Sequence, residues 1–423
     1  MDQSTERALQ YHRSAPAGKI AIIPTKACKN AQELSLAYTP GVAFPCLEIQ
    51  KDPSQAYSYT GKGNLVAVIS NGTAVLGLGN IGPLAGKPVM EGKALLFKRL
   101  ADIDAFDLEI QERDPTKLAE IIVALAPTFG GINLEDIKAP ECFSVEQEVQ
   151  KKVDVPVFHD DQHGSAVIVA AALINALELV QKKLGAVTIV FSGAGAAAFA
   201  TSQFLCELGA RREKIFMFDR KGLITAENAE GYKKIVAQNC PKISLAEALQ
   251  DADVFIGMSV GNILTADMII KMSRNPIIFA LANPFPEMTY PDAHEARPDA
   301  IVATGRSDFP NQVNNVLGFP FIFRGALDVR ASVINLQMKK AAAESLAKLA
   351  QAKVPEEVER KYGWKFVFGA EYILPKPLDP RVLWEVAPAV AKAAMDSGAA
   401  RKPILDLEKY KHSLQQKAKK LGK

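Results

Sequence analysis

The sequence predicts an α/β protein with two domains and a C-terminal set of helices. Short apolar runs alternate with helical patterns along much of the 423 residues, which is typical of parallel sheets covered by helices. Pairs of carboxylates directly follow two of the early apolar runs, and a glycine-rich loop follows a later one. These patterns place the domains at residues 1–163, 164–330 and 331–423.

Composition and charge are those of an ordinary globular protein, with 48% hydrophobic and 23% charged residues. A net charge of +3 is too small to indicate a nucleic-acid or membrane partner. Five cysteines without CxxC spacing predict reduced thiols. No signal-peptide pattern is seen, and no apolar run approaches the roughly 18 residues of a membrane span. We therefore expect a cytoplasmic protein.

The N-terminal segment reaches a short helical pattern over residues 31–37 and then Tyr38-Thr39-Pro40-Gly41. Proline disfavours the helical conformation just before it and glycine permits a positive φ, so a helix end or tight turn is predicted. Tyr38 is interpreted either as half-buried packing or, if partners surround it, as a phenolic acid.

A first strand is predicted over residues 65–70, followed by a hairpin turn at Asn71-Gly72 and a partner strand over residues 74–78. The glycine-rich stretch at residues 77–83 lacks the strand and helix context of a nucleotide-binding loop. It is interpreted either as a close approach of backbone to a ligand or as plain hairpin geometry.

A helix is predicted over residues 88–101, which places Lys93 in its first turn. Most lysines on helices are simply solvated. A helix N-terminus disfavours a cation, however, so the ammonium form of Lys93 would be destabilised and the amine could act as a base.

Three strand and helix units follow. Their strands are expected at residues 105–110, 130–133 and 155–158, and their helices at 115–126, from near Pro140 and from near Gln162. The second strand leads to Glu135 and Asp136, and the third to Asp160 and Asp161. Because carboxyl ends of parallel strands share one edge, Glu135, Asp136 and Asp161 are predicted to converge on a hard cation, Mg²⁺ or Mn²⁺. The alternative is that Asp160 or Asp161 merely caps the helix.

A second glycine loop has the context that the first lacks. An apolar strand over residues 186–191 leads into Gly193-Ala194-Gly195-Ala196-Ala197-Ala198 and a helix, which predicts a Rossmann-type NAD(P)-binding domain. Gly193 would allow the tight turn, Gly195 would admit the pyrophosphate to the helix N-terminus, and Ala198 would allow close helix packing. Ala196 begins that helix and is also expected at the cofactor.

The next strand, over residues 214–218, ends at Asp219. An acid at this position bonds the adenine ribose of NAD in Rossmann domains, whereas the adjoining Arg220 and Lys221 could receive the 2′-phosphate of NADP. The sequence therefore leaves the choice between NAD and NADP undecided.

Three further strands are expected at residues 253–257, 276–281 and 300–303. Asn283 follows the second of them, at the rim expected beneath a nicotinamide. Asn314 and Asn315 open the next helix and offer amide groups to a carboxylate or carboxamide, with helix capping as the competing interpretation. The helical remainder from about residue 330 is interpreted as packing and oligomer contacts without chemistry.

Seven motifs stand in the order found in malic enzymes. They are Tyr38-Thr39-Pro40-Gly41, Met90-Glu91-Gly92-Lys93, Asn133-Leu134-Glu135-Asp136, His159-Asp160-Asp161-Gln162-His163-Gly164, the Rossmann loop, Asn283-Pro284 and Asn314-Asn315. The chain resembles the short prokaryotic type of this family over roughly residues 15–390, and no phosphotransacetylase-like extension is expected. The resemblance implies oxidative decarboxylation of L-malate to pyruvate and CO₂, reduction of NAD or NADP, dependence on Mg²⁺ or Mn²⁺, and a homodimer or higher homo-oligomer.

The resemblance also assigns chemical roles. It implies three metal ligands: Glu135, Asp136 and Asp161. It makes Lys93 the general base in contact with the substrate, supported by Asp160. It makes Tyr38 the general acid.

Further contacts follow from the same resemblance. Asn283 and Asn315 would contact the substrate, and Asn283 and Asn314 the cofactor. In one place the sequence departs from the family: an arginine that larger members place before the first glycine loop stands here as Ala74. Another cation must then balance a substrate carboxylate, and Arg306 is the candidate.

Two other classes of function remain as alternatives. One is another two-domain dehydrogenase of hydroxy or amino acids, with a similar catalytic lysine; the amino acid chemistry needs no divalent metal, so the three acids argue against it. The other is a dinucleotide-sensing protein that has lost catalysis, for which Tyr38, Lys93 and the acids would have no use.

Overall fold

The computed structural model describes residues 3–422, and its strands form two separate sheets. The strands are β1 Leu65–Ser70, β2 Asp104–Glu109, β3 Gly131–Leu134, β4 Val157–His159, β5 Ile189–Ser192, β6 Ile215–Asp219, β7 Gly222–Leu223, β8 Val254–Gly257, β9 Ile277–Ala280, β10 Ile301–Thr304 and β11 Asn311–Gln312. The helices are α1 Gln3–Arg13, α2 Ala31–Ala37, α3 Ala43–Lys51, α4 Ala56–Tyr59, α5 Pro83–Ala101, α6 Pro115–Leu125, α7 Glu141–Lys152, α8 Ser165–Leu179, α9 Ala196–Glu207, α10 Leu245–Leu249, α11 Ala266–Ile270, α12 Tyr290–Ala296, α13 Phe319–Asp328, α14 Leu336–Gln351, α15 Glu356–Tyr362, α16 Arg381–Asp396 and α17 Leu407–Leu421.

The first sheet has the order β2-β1-β3-β4, and all its pairings are parallel. Leu134 at the end of β3 is in register with His159 at the end of β4. The residues that follow these two strands therefore emerge side by side at one edge of the sheet, as the sequence predicts for the two acidic pairs.

The second sheet has the order β11-β10-β9-β8-β5-β6-β7, and it is parallel except for the short β7. The glycine loop after β5 lies where the strand order reverses, since β6 and β8 pair with β5 on opposite sides. That point is where ligands bind in open α/β sheets. Both sheets confirm the α/β class and the Rossmann-type second sheet.

The expectation that no apolar run approaches the length of a membrane span is wrong for one helical stretch, Asp160–Leu179, which is long and apolar enough by length and composition to cross a membrane. Within it, 72% of the apolar window is buried inside the protein, which is the behaviour of a core helix. Its alanine and valine side chains belong to the largest apolar cluster, which also contains strand residues of both sheets.

Two expectations near the first glycine loop are wrong. No strand forms at residues 74–78, because the chain after β1 makes a bend and a short 3₁₀ turn at Leu76–Leu78. Helix α5 begins at Pro83 rather than Pro88. Either proline could occupy the first turn of a helix, and Pro88 is accommodated inside α5, which then continues to Ala101.

The C-terminal helices are part of the core. The phenol of Tyr410 on α17 donates a hydrogen bond to Asp328 at 2.6 Å, and Lys417 pairs with Asp102 at 2.7 Å. Phe319 and Phe323 of α13 pack on Phe97 of α5 with ring centroids 4.8 and 5.3 Å apart. The α13 segment thereby closes the face of the first sheet that carries α5.

Candidate active site

Lys93 lies in the middle of α5, and its ammonium group faces two carboxylates. Nζ is 2.6 Å from Asp160 Oδ2 and 2.8 Å from Glu135 Oε1. The same atom lies 4.2 Å from the centroid of the Phe319 ring, a cation–π distance. Only 10% of the side chain is exposed. The amine is therefore held in one place by surrounding groups.

The expectation that a helix N-terminus destabilises the ammonium form of Lys93 is wrong, because the residue is not in the first turn. Burial lowers the pKa of Lys93, but the negative charges of Asp160 and Glu135 raise it more, so the pKa lies well above its ordinary value. Burial and the nearby acids raise the pKa of Glu135, even though Lys93 acts in the opposite direction. Burial likewise raises the pKa of Asp160.

The three acids expected to bind metal lie close together. One carboxylate oxygen from each of Glu135, Asp136 and Asp161 lies within 4.8 Å of the others. The backbone N–H of Asp136 also donates to Asp161 Oδ2 at 2.8 Å, which ties the two strand ends to each other. Asp136 has a φ of 53°, an uncommon value for a non-glycine residue that is retained where a site requires it. With three hard oxygen donors and an excess of negative charge, this group fits Mg²⁺ or Mn²⁺.

The turn that carries Asp160 and Asp161 has a special backbone. Asp160–Gly164 forms a π-helical turn that leads directly into α8, and such turns are frequent at functional sites. Neither aspartate is at an N-cap, since His159 holds that position for this turn and Gly164 for α8, while Asp160 pairs with Lys93 and Asp161 accepts the Asp136 N–H; the capping alternative is therefore not supported. A Cβ at Gly164 would lie 1.9 Å from Asp160 Oδ1. Glycine is therefore needed to leave room for the carboxylate that holds Lys93.

A cavity of about 1220 Å³ extends from Asp161 along the Rossmann loop to the end of β6. Its lining includes the residues expected at the cofactor: Gly193, Gly195, Ala196, Ala198, Asp219 and Arg220. Gly193 has a φ of 116°, and a Cβ there would lie 2.7 Å from the backbone oxygen of Met258. The cavity exceeds the size of most small-ligand pockets and suits a molecule as long as a dinucleotide.

The far end of this cavity is basic. Asp219 Oδ1 accepts the backbone N–H of Lys221 at 2.7 Å, and Oδ2 pairs with Lys233 Nζ at 2.5 Å. Burial raises the pKa of Asp219, but Lys233 and the Lys221 N–H lower it more. Arg220, Lys221 and Lys242 also line the cavity. Lys233 and Lys242 were not singled out from the sequence, since only the fold brings them to Asp219.

The two neighbouring asparagines behave differently. Asn315 Nδ2 lies 3.3 Å from both the backbone oxygen and Oδ2 of Asp160, so it donates into the lysine cluster. Asn314 accepts the N–H of Val316 and caps the 3₁₀ turn Asn315–Leu317, which was the competing interpretation for this residue.

Asn283 and Arg306 do not line the cavity beside the Rossmann loop. The guanidinium of Arg306 binds Asp308 through Nε at 2.9 Å and Nη2 at 2.6 Å. Lys138 does line that cavity, together with Ala74 and Asp161. Its side chain is 51% exposed and pairs with Glu141 at 3.0 Å. Lys138 is thus a cation beside Ala74 that no sequence motif marks.

The side chain of Tyr38 does not contribute to the cavity beside the Rossmann loop. It is 69% exposed at the end of α2, and no described residue hydrogen-bonds its hydroxyl. Half-buried packing is therefore the wrong interpretation. We call residues 20–59 the N-terminal arm; α2 and α3 within it contain no buried residue. The arm exposes many large apolar side chains: Ile20, Ile22, Ile23, Leu34, Leu36, Val42, Phe44, Leu47 and Tyr59.

Comparisons with known proteins identify the family of this chain. The family model of the malic enzyme N-terminal domain matches residues 17–119, and that of the malic enzyme NAD binding domain matches residues 162–360. The chain is 55% identical to the NADP-dependent malic enzyme of Escherichia coli over 97% of this chain and 54% of that protein. It thus spans about half the length of several curated relatives that it matches.

Other relatives match along most of both chains. The NADP-dependent malic enzyme of Halomonas elongata is 52% identical over 95% of this chain and 96% of that protein. The crystal structure of the malic enzyme from Pyrococcus horikoshii superposes with a TM-score of 0.88 at 44% identity, covering 99% of this chain and 96% of that one. The two family models together match more than half of the chain, and these relatives match along almost its whole length, so the chain belongs to the malic enzyme family.

Proposed function

We propose that this chain oxidises and decarboxylates L-malate to pyruvate and CO₂, reduces NAD or NADP, and requires Mg²⁺ or Mn²⁺. The observation that carries the proposal is the single cavity that joins Asp161 to the loop from Gly193 to Ala198. A hydroxy acid held at the acidic end would face the nicotinamide of a dinucleotide held along that loop. This arrangement suits direct hydride transfer between the two.

A divalent cation held by Glu135, Asp136 and Asp161 would polarise the hydroxyl of malate and stabilise the negative charge left when CO₂ departs. Hydrogen bonds within the chain hold those carboxylates in place. The Asp136 N–H fixes one oxygen of Asp161, and Asn133 Nδ2 donates to Glu135 Oε2 at 3.0 Å. Little reorganisation is then needed on binding.

Lys93 is the general base of the proposal. It accepts the hydroxyl proton of malate while hydride leaves C2 for the nicotinamide, and oxaloacetate results. With Glu135 committed to a cation, Lys93 would keep only Asp160 as its counter-ion, and its pKa would fall from the high value it has between two free carboxylates. Asn315 and Asp160 keep the amine directed at one point.

Tyr38 is the general acid of the proposal. After the bond between C3 and the departing carboxylate breaks, its phenol donates a proton to C3 of the resulting enolate, and pyruvate is formed. Because Tyr38 lies on an exposed apolar arm, we place it in the site of a second copy of this chain within a homodimer. The exposed side chains of the arm support this assembly, since monomers rarely leave such surfaces uncovered.

Two finer assignments complete the proposal. Lys138 replaces Arg306 as the cation that balances the second carboxylate of malate, because it lines the cavity beside Ala74 whereas Arg306 is engaged by Asp308. The five cysteines are free thiols, which supports a reducing, cytoplasmic environment.

The test is nicotinamide reduction with L-malate, run with NAD and NADP separately, with Mn²⁺ or Mg²⁺ and then with a chelator. Reduction that the chelator abolishes, with one pyruvate formed for each dinucleotide reduced, is the expected result. If neither cofactor is reduced by a protein that still binds a dinucleotide, the result would instead favour a dinucleotide sensor or a dehydrogenase of another acid.

A further inference from the structure

A buried carboxylate behind the acid cluster is not used by the proposed chemistry. Glu146, on α7, is 5% exposed, and both oxygens of its carboxylate accept hydrogen bonds. Its Oε1 accepts the backbone N–H of His159 at 3.1 Å, and its Oε2 accepts Gln162 Nε2 at 3.1 Å. His163 Nε2 lies 3.0 Å from both oxygens, and Gln150 Nε2 is 3.3 Å from Oε1.

These donors lie on both sides of Asp160 and Asp161 in the sequence. The His159 N–H comes just before Asp160 and Asp161, and the side chains of Gln162 and His163 come just after them. One carboxylate therefore contacts residues on both sides of Asp161 in the short π-helical turn that presents Asp161 to the proposed metal position. Helix α7, which carries Glu146, itself follows the segment with Glu135 and Asp136, so the contact joins both ligand-bearing strand ends.

The contact continues into the C-terminal helices. Lys339 Nζ, on α14, lies 3.3 Å from Nδ1 of His163. Lysine only donates, so His163 Nδ1 accepts and Nε2 carries the proton given to Glu146. Burial raises the pKa of Glu146, but His163, then His159 and Lys339, lower it more, to about 2, which leaves the carboxylate ionised. The imidazole of His163 therefore links the positive charge of Lys339 to the negative charge of Glu146.

We propose that Glu146 is a positioning residue that fixes Asp161 for metal binding, and that Lys339 supports it through His163. This inference rests on the proposed metal site. A metal binds tightly only when its ligands are already placed, and partners behind ligands commonly contribute 10- to 100-fold in affinity, by order of magnitude. The C-terminal segment, expected to lack any role in chemistry, then supports the active site through α14.

The experiment measures Mn²⁺ binding to the cofactor-free protein by the electron paramagnetic resonance signal of free Mn²⁺. In Glu146→Gln an amide NH₂ replaces one acceptor and must face a donor. We expect the Kd for Mn²⁺ to rise about 10- to 100-fold, and kcat to recover at saturating Mn²⁺ because the ligands themselves are intact. Glu148→Gln, an exposed change on the same helix, should match the wild type.

Two further variants make the result decisive. Lys339→Met keeps the bonds from His159 and Gln162 to Glu146, so a smaller rise in Kd is expected; Lys348→Met, exposed on the same helix, is its control. A folded Glu146→Gln protein with wild-type Mn²⁺ affinity would overturn the proposal. Should Glu146→Gln not fold, Lys339→Met decides, and an unchanged Kd there overturns the proposal.

Asp161→Ala separates this inference from the proposed function. If Asp161→Ala binds Mn²⁺ as the wild type does, the metal site itself is wrong. If Asp161→Ala loses Mn²⁺ while Glu146→Gln retains it, only the positioning role is wrong.

Discussion

The two residues proposed to move protons stand in opposite surroundings. Lys93 is 10% exposed and lies between two carboxylates of its own chain, whereas Tyr38 is 69% exposed on an arm whose helices bury nothing. The lysine centre is complete in one chain: strand ends, a π-helical turn and α13 all converge on it. No comparable set of described residues surrounds Tyr38.

This difference indicates that burial of the apolar side chains of the N-terminal arm would supply the free energy for binding a second copy of the chain. Each large apolar side chain of the arm gains about 1.5 to 3 kcal/mol when it moves from water into a fully packed contact. Leaving Leu36 and Phe44 at 70% and 69% exposure forgoes most of that gain. A second copy that covers the arm would recover it and place the phenol at the same time. We therefore expect oxidation machinery that is preformed and a protonation step that depends on assembly.

The largest effect is expected at the preformed centre. Lys93→Ala removes the proposed base and should lower kcat for malate oxidation about 10²- to 10⁴-fold. Mn²⁺ binding should be spared, because Glu135, Asp136 and Asp161 remain. Stopped-flow nicotinamide absorbance and Mn²⁺ titration measure the two quantities. Lys98→Ala, an exposed change on the same helix, is the control. Unchanged turnover in Lys93→Ala would refute the assignment of the base.

The next effect tests the metal position of the same centre. Asp161→Ala removes a ligand oxygen and the acceptor of the Asp136 N–H, so both Mn²⁺ affinity and activity should fall, by about 10²-fold or more. The readouts are Mn²⁺ titration and malate turnover across a range of Mn²⁺ concentrations. A variant that stays active and insensitive to chelators would show that the three acids do not hold the metal.

Much of the preformed centre could be predicted from sequence, because local patterns encode it. Acidic pairs directly after apolar runs, and a Gly-x-Gly-x-x-Ala loop between strand and helix, need no knowledge of distant contacts. The charge on Lys93 could not be predicted, since Pro88 suggested a helix start that the structure places at Pro83, and since the two carboxylates around the amine come from other strands.

Other residues were missed for the same physical reason. Lys138 and Lys233 line the cavity because the fold brings their loops to it, which no local sequence pattern indicates. The hairpin expected at residues 74–78 failed because the turn signal at Asn71-Gly72 instead brings two loop segments together: a Cβ at Gly72 would lie 2.2 Å from the backbone of Gly82. The 69% exposure of Tyr38 was also missed, because a local sequence pattern does not show whether a segment packs against the rest of its own chain.

The third prediction addresses the arm directly. Tyr38→Phe and Lys93→Ala proteins should each be inactive in pyruvate formation. If the arm of one chain completes the site of its partner, mixing the two after reversible dissociation restores activity to about a quarter of the wild type, because half of the random dimers hold one intact site. Pyruvate release after mixing is the measurement.

Mixing without recovery would mean that Tyr38 serves the site of its own chain or none. The control is a Leu36→Ser/Phe44→Ser double variant, which should weaken the dimer in sedimentation experiments. It should still bind Mn²⁺, because the acid cluster lies outside the arm.

The smallest effect is expected at the adenosine end of the cavity, which shares the preformed character of the lysine centre. Asp219 is already engaged by Lys233, and the exposed Arg220 and Lys221 leave a surplus of positive charge there. An Arg220→Ala/Lys221→Ala variant should lower kcat/KM with NADP about tenfold relative to NAD, since charge-assisted contacts to a 2′-phosphate are worth about 1.5 to 3 kcal/mol and partial exposure weakens them. The ratio of the two efficiencies is the measurement, and an unchanged ratio would remove these cations from cofactor selection.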